Sequence, residues 1–161
     1  MAQWIVPGLN VMTLKNKVPP PLVTLIFGGL IYYSTALLPS INFKWQELLA
    51  LLLLIVALSV IASAVATFRR LQTTVNPLQP KSASALATSG VFKYSRNPMY
   101  LGMLFVLIAL SVYTGALASV LLVPGFIAYI SIMQIEPEEQ AMSELFGGEF
   151  TDYCHRVRRW L

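Results

Sequence analysis

From Leu101 to Gln134 the chain runs through 34 residues without one charged side chain. A single helix continued to Ile135 would be about 50 Å long at ~1.5 Å per residue, well beyond a hydrocarbon core of ~30 Å. The segment must therefore fold back. Tyr113-Thr114-Gly115 is the expected reversal, because Gly tolerates turn geometry and Thr can satisfy freed backbone groups. The result is a helical hairpin over 98–113 and 116–135, with Pro124 expected to kink the second arm. Two further apolar runs, 22–38 and 48–68, give one short and one full-length span. Composition agrees: 57% of residues are hydrophobic, 11% are charged and mean hydropathy is +0.69, against roughly 25% charged in soluble domains. The expected fold is all-α. It is one polytopic membrane domain over 1–161, with about four transmembrane helices and a C-terminal cytoplasmic amphipathic helix.

Charge placement orients this scheme. Lys15 and Lys17 precede the first span, and Lys44 and Glu47 lie in the first loop. The next loop carries Arg69, Arg70, Lys81, Lys93 and Arg96 with no acid, and the hairpin tip is uncharged. By the positive-inside rule both termini, the 69–97 segment and the 136–161 segment are cytoplasmic. A net charge of +4 with scattered cations excludes a nucleic-acid surface. Cys154 is the only cysteine, so there is no internal disulfide, and no Cys/His cluster suggests a metal. The N-terminal lysines follow a short apolar stretch instead of preceding it, the wrong order for a cleaved signal peptide.

The loop from Arg69 to Arg96 is 28 residues long. Loops of that length are usually functional or disordered. It ends in YSRNPMYLG, where Asn97 is a favoured helix cap and Pro98 suits the first helical position. The exposed N–H groups of that helix start form a weakly positive pocket at the interface. A plainer account makes Arg96 a topology anchor and Tyr100 an interfacial aromatic.

The C-terminal segment shifts the balance. All acids but Glu47 fall in EPEEQAMSELFGGEFTD, residues 136–152. Pro137 suits a helix start, which places Glu138 and Glu139 in a first turn as the chain leaves the membrane, and Gly147-Gly148 can end that helix. Acids also simply favour helix N-termini, or they could pair with Arg69, Arg70 or Arg96. Yet two carboxylates beside a basic, capped entrance suit a cationic or hydroxyl-rich ligand. Met142, Leu145 and Phe146 fall at helical spacing and read as packing. His155 reads as solvated, Cys154 has no activating partner beyond nearby cations, and Trp160 with its preceding arginines reads as an interfacial anchor.

Three stretches, TTVNP (73–77), ALATSGVFKYSRNPMYLG (85–102) and EPEEQAMSELFGGEFTDYCHRVRRW (136–160), resemble the isoprenylcysteine carboxyl methyltransferase family, a relative of the membrane phospholipid methyltransferases. The resemblance covers roughly residues 45 to 161. It implies methyl transfer from S-adenosyl-L-methionine on a membrane-embedded helical fold, and the chain likewise has no glycine-rich dinucleotide fingerprint. By position, the resemblance assigns Ser84, Ala85, Leu86, Ala87, Phe92, Asn97, Pro98, Met99 and Tyr100 to the cofactor pocket. Glu138 corresponds to the cofactor-contacting glutamate and Glu139 completes the acidic pair. Gly102 allows close approach at the third helix, and Arg96 holds the basic position before the Pro-x-Tyr box. Asn97 stands where eukaryotic members have histidine, as in bacterial relatives, and Ser84 replaces another histidine. Gln134 stands where prenylcysteine-specific members carry a substrate-binding arginine, which argues against prenylcysteine carboxylate recognition.

The expected activity is in-line methyl transfer to a lipophilic acceptor that enters from the bilayer, in a bacterial-type plasma membrane. A carboxylate or thiolate acceptor needs no general base; an amine or hydroxyl would lose a proton to Glu139 or Tyr100. Arg96, Tyr100 and Glu139 are thus the candidate catalytic residues. The expected partners are membrane lipids and a lipophilic or lipidated substrate, with neither metal nor nucleic acid. The competing reading is a non-catalytic membrane scaffold or lipid-binding partner that keeps the fold.

Overall fold

The computed structural model describes residues 18–71 and 85–161. Ser84, Lys15, Lys17, Lys81 and the rest of residues 72–84 of the long loop lie outside the described residues. What is described is helical apart from turns and one antiparallel bridge, Ser40 with Ala116. In order the helices are α1 (Pro20–Ser34), α2 (Gln46–Leu71), α3 (Pro98–Thr114), α4 (Ser119–Ile130) and α5 (Glu136–Arg156). A short 3-10 turn, Gly90–Lys93, precedes α3, and one π-helical turn, Ser131–Ile135, joins α4 to α5 without a break. The 26-residue α2 and the continuous α4–α5 segment are long and apolar enough to cross a membrane. At 15 and 17 residues, α1 and α3 are apolar but shorter, about 22 and 25 Å.

The first apolar run was expected to stay helical to residue 38, but α1 stops at Ser34. The hydroxyls of Ser34 and Thr35 turn back onto the carbonyls of Ile31 and Tyr32, at 2.6 and 2.7 Å, in competition with the next helical turn. Pro39 then follows within a few residues. The reversal after α3 falls where expected. Gly115 takes the left-handed conformation at φ 63°, and its N–H bonds the Val112 carbonyl. Its own carbonyl accepts from Ile41 N–H at 2.9 Å, while Gln46 Nε2 donates to the Tyr113 carbonyl at 3.2 Å. The α1–α2 connection and the hairpin tip are thereby tied together at one end of the bundle.

Two kinds of packing hold the helices. Val23 and Ile31 of α1, Leu104 and Leu107 of α3, and Phe126 and Ile130 of α4 form the main core, with Phe27 edge-on to Phe126 at 5.6 Å. On the other side α2 makes the most extensive contact with α3. The buried residues of α2 are Ala50, Ala57 and Ala64, one small side chain every seventh position, so the backbones can approach closely. Gly102 answers them from α3. A Cβ there would run into Ile61 Cγ1 and lie 3.1 Å from the Ala57 carbonyl. Leu25, Leu51, Leu52, Ile55 and Leu121 all point outward and are exposed. Such a continuous apolar exterior is foreign to a water-soluble surface.

Pro124 lies within α4, but the larger irregularity is the π-turn immediately before Pro137. Pro137 has no N–H to donate to the Met133 carbonyl, and its ring would press on that oxygen in a regular helix. Widening the turn relieves both problems, and Glu136 N–H bonds Ser131 O instead. The C-terminal helix also departs from expectation. It breaks at Gly147, where φ is 51° and ψ is −120°, but resumes and continues to Arg156. The resumed part buries Phe150 and Tyr153, which with Val157 pack on Leu86, Met142 and Phe146. Leu145 is exposed.

Candidate active site

At the end of the bundle opposite Gly115, the start of α3, the start of α5 and the C-terminal residues converge. Asn97 and Pro98 open α3 at the expected positions, but the Asn97 side chain does not cap its own helix. Its Nδ2 donates to the Arg159 carbonyl at 3.0 Å, and Arg96 N–H donates to the Arg158 carbonyl at 3.0 Å. Ser95, fully buried, reaches the Arg159 carbonyl at 3.4 Å and accepts from Asn97 N–H at 3.1 Å. Trp160 Nε1 donates to Ser131 Oγ at 3.1 Å and its ring packs on the main core. Residues 157–160 are thus an extended strap stitched across the α3 entrance and the π-turn. Trp160 was expected to anchor in lipid headgroups. It folds inward, its indole N–H bonded to the Ser131 hydroxyl at the π-turn and its ring packed on the main core.

The carboxylates face this entrance. Tyr100, one turn into α3, donates its hydroxyl to Glu138 Oε1. Glu139 lies between two guanidinium groups: Arg96 Nη2 meets Oε1 at 2.8 Å, while Arg159 meets Oε2 through Nη2 at 2.6 Å and Oε1 through Nε at 3.2 Å. Such charge-assisted forks fix orientation as well as charge. Hydrogen bonding to Glu139 in turn raises the Arg159 pKa above its ordinary value, against the opposing effect of burial. Among the described residues no cation pairs with Glu138. Burial raises its pKa from 4.5 to about 7; the Tyr100 hydrogen bond opposes this and the neighbouring Glu139 charge adds to it. The adjacent carboxylates are therefore unlike: Glu139 is held by two guanidinium groups, and Glu138, bonded to a tyrosine, is able to ionise near neutrality.

The remaining expected site residues occupy varied surroundings. Pro98 is buried, and Met99 packs with Phe92, Ala87 and Ala64. Phe92 stacks edge-on with Phe68 at 5.1 Å, and its carbonyl accepts the Tyr153 hydroxyl at 2.7 Å. Burial raises the Tyr153 pKa, so that hydroxyl remains a donor. Ala85 is half-buried and Leu86 packs on the C-terminal helix. Gly102, which the resemblance places both in the cofactor site and at a close approach of the third helix, sits at the α2–α3 contact, where absence of a side chain lets the two helices approach. Gln134, on the π-turn, is fully buried. Its Nε2 donates to the Val18 carbonyl at 2.8 Å and its Oε1 has no partner among the described residues. His155 is exposed and Cys154 is a free, half-buried thiol.

Sequence reasoning missed Arg159 as a site residue because the run Arg156, Arg158, Arg159 resembled an undifferentiated surface anchor. Charge balance was the available signal: two carboxylates converging on Arg96 alone leave room for a second cation. Among the described residues, no group of His, Cys, Asp or Glu could hold a metal ion.

With this arrangement established, comparison with known proteins decides the lineage. The phospholipid methyltransferase family matches residues 45–149, from the start of α2 to the break in α5. The chain belongs to the phospholipid methyltransferase family. That match places a methyltransferase family on a chain with apolar, membrane-length helices. An uncharacterized protein of Haemophilus influenzae strain Rd is 40% identical over 63 residues, 39% of this chain and the whole of that protein. No solved structure matches. Both the strap and α1 lie outside the family match.

Proposed function

We propose that this member of the family transfers the methyl group of S-adenosyl-L-methionine to a lipophilic acceptor at the cytoplasmic face of the membrane. In this reading all four apolar segments cross the bilayer, and both the 69–97 and 136–161 segments face the cytoplasm. The convergence of Glu138 and Tyr100 with Arg96 at the α3 entrance is the observation that carries it. The donor set fits the cofactor. Arg96 Nε is buried without a partner among the described residues, and an amino-acid carboxylate would satisfy it. Glu138, once ionised, is an acceptor for an ammonium or ribose hydroxyl. When bound, the cofactor supplies an electrophilic methyl group, and little covalent chemistry is left for the protein.

The residues would then act by holding and excluding. Tyr100 fixes the Glu138 carboxylate through its hydroxyl, and Arg96 is itself held by Glu139. The apolar helices keep water from the acceptor, which favours a carboxylate or thiolate nucleophile. An amine or hydroxyl acceptor must release a proton. Both oxygens of Glu139 are committed to arginines and Tyr100 has already committed its proton, so Glu138 is better placed for that task near neutral pH. Gln134 stands where an arginine would bind a carboxylate, but with its Nε2 given to the Val18 carbonyl it leaves only Oε1 to meet an acceptor.

Labelled cofactor supplied to membranes containing the chain is expected to pass its methyl group to a lipid-extractable product. If no lipid or protein fraction acquires label, while the purified chain also fails to bind cofactor, the proposal is wrong. Binding should also depend on pH. Because Glu138 must ionise to accept from the ligand, affinity should rise about tenfold per unit below its pKa of about 7 and level off above it. Equilibrium dialysis between pH 5.5 and 9 measures this directly.

A further inference from the structure

The strap gives the acidic pair an asymmetry that the family match does not cover. Glu138 and Glu139 are sequence neighbours on one helical turn, and two carboxylates so placed resist ionising together. Arg96 approaches only one oxygen of Glu139, whereas Arg159 forks across both. Arg159 is itself fixed, since its carbonyl accepts from Asn97 Nδ2 and the next residue is pinned to Ser131. Its guanidinium is about one-third exposed, so solvent reaches it even though its geometry is set.

We propose that Arg159 is a positioning residue for the methyl-donor site: held by the strap, it locks Glu139 as an ion-paired strut and leaves Glu138 alone to meet the cofactor. This rests on the cofactor reading above. The groups facing Glu138 support it. Tyr100 from α3 donates to it, Glu139 repels its charge, and Arg96 and Arg159 offset that repulsion through Glu139; Glu136 lies on the same turn, while Tyr153 faces Arg96 from the resumed part of α5. Removing Arg159 leaves the acidic turn less compensated, so Glu138 ionises at higher pH.

The test is cofactor affinity in detergent from pH 5.5 to 9 for the full chain and for Arg159→Gln, Arg159→Lys and Arg156→Gln. Arg156 is an exposed helical residue whose Nε donates to the Asp152 carbonyl, so its loss removes one charge without touching the strap. Titration of the ligand's own amine is common to all variants and cancels. Arg159→Gln should move the binding midpoint up by about half to one pH unit, a three- to tenfold loss at pH 6.5 that closes by pH 9. Arg159→Lys should restore part of the midpoint but not the two-point grip, and Arg156→Gln should match the parent. An equal loss at every pH, with the midpoint unmoved, would mean that the strap is only a structural tie and would overturn the proposal. So would unchanged binding in Arg159→Gln. Should Arg159→Gln fail to fold, Arg159→Lys decides through the grip: a midpoint and an affinity both equal to the parent's would show that the two-point fork on Glu139 does not matter and would overturn the proposal. Failure of the parent chain to bind at any pH is a different result, which removes the cofactor reading and this inference together.

Discussion

Glu138→Gln is expected to lower cofactor affinity by about thirty- to a hundredfold at pH 8 while making the ligand-free protein harder to unfold. The first effect follows from losing an ionised acceptor in a water-poor site, where a charged hydrogen bond contributes about 2–3 kcal/mol, each 1.4 kcal/mol being tenfold. The second follows from the raised pKa of this carboxyl. A folded-state value of about 7 against an ordinary 4.5 means that ionisation opposes folding, so the stability present below pH 4.5 is lost as pH rises toward 7. Glutamine cannot ionise, so its advantage should be full above pH 7 and shrink toward pH 4.5. The variant should also bind with a flat pH profile. Tyr100→Phe, which removes only the orienting hydroxyl, should cost about three- to tenfold and keep a pH-dependent profile with its midpoint moved upward, since that hydrogen bond holds the Glu138 pKa down. Calorimetric titration and thermal unfolding in the same detergent measure both halves. A stabilised but binding-deficient variant is what a destabilised functional carboxylate predicts. If Glu138→Gln binds as well as the parent, Glu138 is not a cofactor ligand.

The helices and their reversal were legible because lipid leaves few options: an uncharged segment too long to span once must turn, and Gly115 was the residue able to turn it. The convergence of Arg96 and Tyr100 with Glu138 and Glu139 was legible from local chemistry, since Pro98 and Pro137 each mark a helix start near the membrane surface. What depended on tertiary contact was not. Asn97 has the composition of a cap, and only the position of the Arg159 carbonyl shows that its amide is used elsewhere. Trp160 has the composition of an interfacial anchor until Ser131 provides an inward partner. Gly102 sits in a stretch that resembles a cofactor loop, but its neighbours are Ala57 and Ile61, residues more than forty positions away. Arg159 belongs to the same class: three arginines in a short tail are equivalent in sequence, and only the folded strap separates the one that grips Glu139.

Gly115→Ala is expected to destabilise the protein by about 2–4 kcal/mol, the sum of a left-handed backbone cost of about 1–2 kcal/mol and a clash that cannot relax cheaply. An added Cβ would press on the Ile41 carbonyl oxygen and lie 2.9 Å from its carbon and 3.1 Å from its nitrogen. These are backbone atoms, and Ile41 N–H is already bound to the Gly115 carbonyl, so neither side can withdraw without breaking that bond. Asparagine separates the two causes. It tolerates the left-handed region better than alanine but carries the same Cβ, so Gly115→Asn should be nearly as damaging if the approach of Ile41 dominates, and clearly milder if the backbone angle does. The site lies at the opposite end of the bundle, so the folded fraction of either variant should bind cofactor with the parent's affinity. A Gly115→Ala protein that melts with the parent would show that the hairpin tip and the α1–α2 connection do not meet as described. With that contact would go the antiparallel arrangement that brings the starts of α3 and α5 to the same end of the bundle.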